Sequence, residues 1–214
     1  TACAHSGPRP RAVPRSANPS AVIAAEIAFN RLAQEKGYQA AQRETGAKGA
    51  IVFTPQPTLL ADSLKIDRSG EKTPKWQPHR AYMSCDGKTG VTTGAWQMAD
   101  GSTGFFTTVW FWFEKGRPDP NLPLGTMGDG EWKWVMDHGE DLPTPRAAPE
   151  FIETKVASCK GKATAPIVAP AEGVQMKTMF SRDQSLNWEW QVRPDNSRTV
   201  TVRLWNGSGF DEVL

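Results

Sequence analysis

The order of apolar and polar positions divides the chain into a helical beginning, a strand-rich middle and a second strand-rich region near the end. Asn18-Pro19-Ser20 has the form of a helix start, with Asn as the cap and Pro at the first helical position. Val22, Ala25, Phe29, Leu32 and Ala33 follow at helical spacing, and Gly37 predicts a stop at about Lys36. A shorter helix is expected over about Tyr38–Thr45, closed by Gly46. Residues 50–53, Ala-Ile-Val-Phe, form a short buried strand in this reading, stopped by Pro55 and Pro57, and residues 58–64 form one or two helical turns.

The middle reads as a β-meander. Strands are expected over residues 76–86 and 90–98, joined at Asp86-Gly87, and Asp100-Gly101 turns the next pair. Residues 104–114, GFFTTVWFWFE, make a long strand. A Pro/Gly-rich loop at 115–130 leads to EWKWVMDH at 131–138. In the long strand Phe105, Val109, Phe111 and Phe113 share one face, and Phe106, Trp110 and Trp112 the other. Both faces are apolar, so both need a cover. The helices supply one, and the rest of the chain or another subunit supplies the second.

In the last third, Leu186, Trp188, Trp190 and Val192 alternate with polar residues, and so do Val200, Val202 and Leu204 after Pro194-Asp195-Asn196-Ser197. This predicts a hairpin, 186–205, with one apolar face that must dock on something. Residues 151–158 are expected to add a strand, and the Ala/Pro-rich residues 163–173 a linker.

Composition narrows the function classes. The 214 residues carry a net charge of +2, a balance that lacks the concentrated basic face of a nucleic-acid binder. No apolar run approaches the ~20 residues of a membrane span. Nine Trp against two Tyr is an unusual ratio. Residues 1–19 contain Pro8, Pro10, Pro14 and Pro19 among Arg and Ser without an apolar period, which predicts a disordered, extended tether.

Thr1-Ala2-Cys3-Ala4 resembles the end of a bacterial lipobox. That resemblance implies an exported lipoprotein acylated at Cys3, held at the bacterial cell envelope facing the periplasm, with membrane contact through this anchor alone. Cys85 and Cys159 then remain as an even pair. An oxidising compartment would let them form a disulfide; the alternative is two separate buried thiols.

Four segments carry a second resemblance: AVIAAEIAFNRLA at 21–33, VTTGAW at 91–96, GFFTTVW at 104–110 and WKWVMDH at 132–138. Together with the order of elements they resemble the nuclear transport factor 2-like superfamily, which includes ketosteroid isomerase-like and SnoaL-like proteins. The resemblance implies an α+β fold: N-terminal helices packed in a curved antiparallel β-sheet, the cystatin-like cone. It covers residues 20–140 and leaves 141–214 as a C-terminal extension containing the hairpin. It also implies a conical pocket, for which Tyr82, Trp96, Trp110, Trp134 and His138 are the candidate lining residues. Homodimers through the outer sheet face are common in that superfamily, although here the hairpin is a competing cover.

Chemistry within such a pocket centres on residues 131–138. Strict alternation places Trp132, Trp134, Met136 and His138 on one side and Lys133, Val135 and Asp137 on the other, making His138 the expected cavity residue. A desolvated His could serve as a general base; the alternative is a structural His near a strand end. Asp137 is the second proton-transfer candidate, because burial makes a carboxylate more basic. The two are adjacent, so both face one cavity only if a bulge intervenes. His79, Cys85 and His138 lack metal-ligand spacing, and the glycines at 125, 128 and 130 open no helix, so neither a metal nor a cofactor is expected.

The preferred reading is an envelope protein that binds a small apolar molecule or a protein partner, with no nucleic acid. One alternative is an enzyme of the isomerase, cyclase or dehydratase kind using Asp137 or His138. Another is a glycan- or partner-binding module that presents Trp188, Trp190 and Trp205.

Overall fold

The computed structural model describes residues 17–68, 70–115, 129–164 and 169–214. Cys3, most of the expected tether 1–19 and most of the loop 115–130 lie outside the described residues. The fold is α+β. Helix α1 spans Ser20–Lys36; Pro19 holds the cap position, one residue later than expected, and Asn18 before it accepts the Ser20 N–H through its side chain at 3.0 Å. Gly37, at φ 89°, ends it and lets α2, Tyr38–Thr45, begin at once. The buried line of α1 is Val22, Glu26, Phe29 and Ala33, three apolar residues with a carboxylate among them.

Eleven strands follow among the described residues. They are β1 Gly46–Phe53, β2 Pro57–Leu59, β3 Lys75–Met83, β4 Thr89–Gln97, β5 Thr103–Glu114, β6 Gly130–Leu142, β7 Glu153–Val156, β8 Gln175–Phe180, β9 Leu186–Val192, β10 Arg198–Trp205 and β11 Phe210–Glu212. Strand β1 starts four residues earlier than the apolar run alone predicts. The expected helical turns at 58–64 divide into β2, which pairs with β1, and the short helix α3, Leu60–Ser63. Pairing with a neighbouring strand outweighs local propensity there.

The first sheet is curved and has the order β2-β1-β6-β5-β4-β3-β7. Its meander β3–β6 is antiparallel, but β1 runs parallel to β6 and β7 parallel to β3. The sheet is therefore mixed, which corrects the wholly antiparallel expectation. Each parallel neighbour arrives by a long connection, as parallel pairing requires.

Helices α1 and α2 cover one face of this sheet, in a core that includes Phe29, Trp76, Phe106, Trp110 and Trp134. The other face is covered by a second, antiparallel sheet of order β11-β10-β9-β8. There Val91, Val109 and Met136 of the first sheet pack with Leu186, Trp188, Val192, Val202 and Leu204 of the second. The hairpin of β9 and β10 turns at Asn196, φ 65°. The flanking strands β8 and β11 show no comparably regular alternation in the sequence. The Cys85–Cys159 disulfide joins the end of β3 to the segment after β7, with 5.3 Å between Cα atoms.

One irregularity sets the geometry of the site. In the pairing of β5 with β6, Val109 faces Met136 and Trp110 faces Trp134, so Val135 is an extra residue. This bulge reverses the phase of β6. Trp134 belongs to the helix-side core and Met136 to the core between the sheets.

Candidate functional site

A cavity of about 510 Å³ lies between the helices and the curved sheet. Its apolar walls include Phe29, Trp76, Trp96 and Phe106. The rings of Phe29 and Trp76 meet edge-to-face with centroids 4.9 Å apart, and Tyr38 meets Trp76 in the same way at 5.7 Å.

The polar part of the cavity comes from three elements. Tyr38, first residue of α2, donates its hydroxyl to Asp137 Oδ2 at 2.7 Å, and Thr108 of β5 donates to Oδ1 at 3.1 Å. Asp137 reaches these partners because the Val135 bulge turns it towards the helices. Burial raises the Asp137 carboxyl above its ordinary value, opposed by the hydroxyls of Tyr38 and Thr108. Burial, and then the Asp137 charge, push Tyr38 well above the usual tyrosine value, so its hydroxyl stays a donor.

Glu26 forms the base of the cavity and is fully enclosed, with 0% exposure. Trp76 Nε1 donates to Oε1 at 2.6 Å; Trp110 Nε1 and Thr92 Oγ1 donate to Oε2 at 2.9 and 2.5 Å. Burial pushes its pKa up to about 7, and the Asp137 charge adds to the rise while the three donors oppose it. The mouth is different in character: Lys36 and Arg43 stand there, with Lys72 and the ion pair Arg68–Glu71.

The structure distributes the expected lining residues among several places. Trp96 lines the cavity and donates its indole N–H to the Phe105 carbonyl. Trp110 lies in the core behind Glu26, and Trp134 is buried with its indole N–H on Thr45 Oγ1. Tyr82 sits between the sheets instead, its hydroxyl on the Val213 carbonyl at 2.7 Å. Placing it in the pocket is therefore corrected: its position on β3 points it to the covered outer face.

His138 borders the cavity, but its ring packs edge-on against Phe53 and Phe105, and Nε2 meets Glu140 Oε1 at 3.3 Å. Arg198 of the second sheet holds the same carboxylate at 2.6 Å. Burial lowers the His138 pKa to about 4, so the ring is neutral at physiological pH. Strict alternation thus assigned His138 and Asp137 to the wrong sides, and the bulge is the reason. Trp188 and Trp190 are buried between the sheets, and Trp205 is buried with its indole N–H on the Lys160 carbonyl. None of the three offers a flat exposed face.

Sequence reasoning missed Glu26, Tyr38 and Trp76. Glu26 carried a readable signal: it lies four residues after Val22 and three before Phe29, inside the apolar stripe of α1. Tyr38 and Trp76 carried none, because they lie at the beginnings of α2 and β3, elements whose mutual position is a tertiary property. Among the described residues there is no cluster of three or more His, Cys, Asp or Glu able to hold a metal, and no helix long and apolar enough to cross a membrane.

Comparison with known proteins does not extend the picture. No family model, curated protein or solved structure matches the chain. The reading therefore rests on the geometry.

Proposed function

We propose that this protein binds a small, largely apolar molecule in the cavity between α1, α2 and the curved sheet, and that Asp137 recognises a hydrogen-bond donor on it. The observation that carries this reading is the placement of a desolvated carboxylate, already oriented by Tyr38 and Thr108, on the wall of an aromatic cavity of about 510 Å³. That volume falls in the range of small-molecule sites, and a few convergent polar groups in an apolar pocket are their usual signature. A carboxylate that faces open space accepts further hydrogen bonds, so the matching ligand group is a donor.

We assign the cone architecture of the nuclear transport factor 2-like superfamily on the same basis, supported by two helices lying against a curved meander. An exported, envelope-anchored location is part of the proposal; the Cys85–Cys159 disulfide supports it, because such bonds persist in oxidising compartments. The second sheet occupies the outer face on which homodimers of that superfamily form, which favours a monomeric binder.

A second reading, proton transfer next to a carbonyl, is favoured by one observation: the raised pKa of Asp137 beside the Tyr38 hydroxyl pairs a base with a donor. In that reading Asp137, not His138, is the base.

Titration with naphthol tests the binding reading, with the Trp76 indole signal in proton–nitrogen NMR spectra as the readout. Binding should shift that signal, and Asp137→Asn should weaken it about tenfold, as loss of a hydrogen bond to a charged group does. An unmoved Trp76 signal, or equal affinity in the variant, would refute the reading.

A further inference from the structure

The cavity has an electrostatic character that goes beyond accepting a donor. Of the carboxyl groups in its lining, Glu71 and Asp141 are exposed, whereas Glu26 and Asp137 lie inside, and the charges of those two interact. Among the described residues neither forms an ion pair with a Lys, Arg or His. Every contact they make is with a neutral donor: indole N–H groups for Glu26, hydroxyls for Asp137, and Thr92 for Glu26 as well. The basic side chains stand outside, at the mouth: Lys36 paired with Glu44, Arg68 paired with Glu71, and Arg43 and Lys72 beside them.

A buried carboxyl group without a counter-charge is costly to ionise, and the protein has left two in one place. The surrounding walls are aromatic. Phe29, Tyr38 and Trp76 form one continuous group of rings whose centroids lie 4.9–5.9 Å apart. Ring faces attract cations as carboxylates do, and more strongly away from water. The acid pair and the rings thus favour the same kind of ligand group.

We propose that the cavity selects a protonated amine carried on an apolar body. This deepens the binding reading above and rests on it. The ammonium group donates to Asp137, the rings of Tyr38 and Trp76 flank it, and Glu26 beneath adds long-range attraction in its ionised form. The apolar body fills the space towards Phe106 and Trp96. A neutral alcohol would satisfy Asp137 but leave its charge uncompensated, and a carboxylic acid anion would be repelled.

Three probes of nearly equal shape separate these cases: phenethylamine, phenethyl alcohol and hydrocinnamate, titrated into the full chain by calorimetry at neutral pH. Phenethylamine should bind about tenfold or more tightly than the alcohol, and hydrocinnamate most weakly. In Asp137→Asn the preference for the amine over the alcohol should disappear, while thermal melting shows the variant folded. Trp76→Leu should shrink the preference without that charge change. Equal or tighter binding of the alcohol or the acid by the native protein overturns the inference and leaves the binding reading in place. Absence of binding by all three overturns both.

Discussion

Glu26→Gln gives the sharpest access to the physics of this site, because the wild-type carboxyl is fully buried and its pKa rises from 4.5 to about 7. A raised folded-state value means that the folded protein holds the proton to higher pH than the unfolded chain does. The resulting stabilisation is complete below pH ~4.5 and is lost as pH rises through about 7. At ~1.36 kcal/mol per pKa unit, the wild type should lose about 2.5 kcal/mol from this group between pH ~5 and ~8. The Gln side chain cannot titrate, so the variant lacks that slope. It carries a separate, pH-independent cost, because the amide NH₂ must take one of the two carboxylate positions, and an indole N–H, from Trp76 or Trp110, points at each. Asp137 titrates in both proteins and cancels to first order. The assay is urea unfolding of both proteins at several pH values across that window. The stability difference, variant minus wild type, should move in favour of the variant by about 2.5 kcal/mol as pH rises, or about 5–10 °C in Tm for a chain of this size. A difference that stays flat with pH would refute the buried-carboxyl argument, and with it the acid character assigned to the cavity.

Two more outcomes follow from the structure. The His138 pKa, lowered to about 4, has the opposite sign: its contribution is present above pH ~6.5 and is lost as pH falls through about 4, so His138→Phe should gain about 3 kcal/mol relative to wild type between pH ~7 and ~4 in denaturant titrations. Gly94→Ala should destabilise by about 3 kcal/mol in the same assay at neutral pH, because a Cβ there would lie 1.9 Å from the Gln77 carbonyl oxygen and 2.9 Å from the Phe106 ring; an unchanged midpoint would mean the β3–β4 approach is looser than described.

The legibility of the site followed from the range of the interactions involved. Helix α1 was readable from Asn18, the apolar spacing and Gly37, because capping and amphipathic periodicity act within a few residues. The apolar faces of β5 announced that the sheet needed covering on both sides, and the structure supplies helices on one and a second sheet on the other. The assignment of His138 and Asp137 failed on a single inserted residue. Periodicity assumes an unbroken ladder, and the bulge at Val135 becomes visible only when β6 pairs with β5. The parallel placement of β1 and β7 was hidden for the same reason: it depends on which distant strand edge is open.

Local chemistry along the chain therefore settled what each segment is: two helices, a meander, a terminal hairpin, and strands too apolar to stand alone. Packing settled where chemistry can occur. It brought Glu26 from the first helix, Tyr38 from the second, and Thr108 and Asp137 from neighbouring strands around one cavity; it turned the His138 ring at the cavity's border against Phe53 and Phe105, and it sent Tyr82 to the other face. The physical reason is that side-chain direction and hydrogen-bond partners across tens of residues are properties of strand register, and register is decided when surfaces meet.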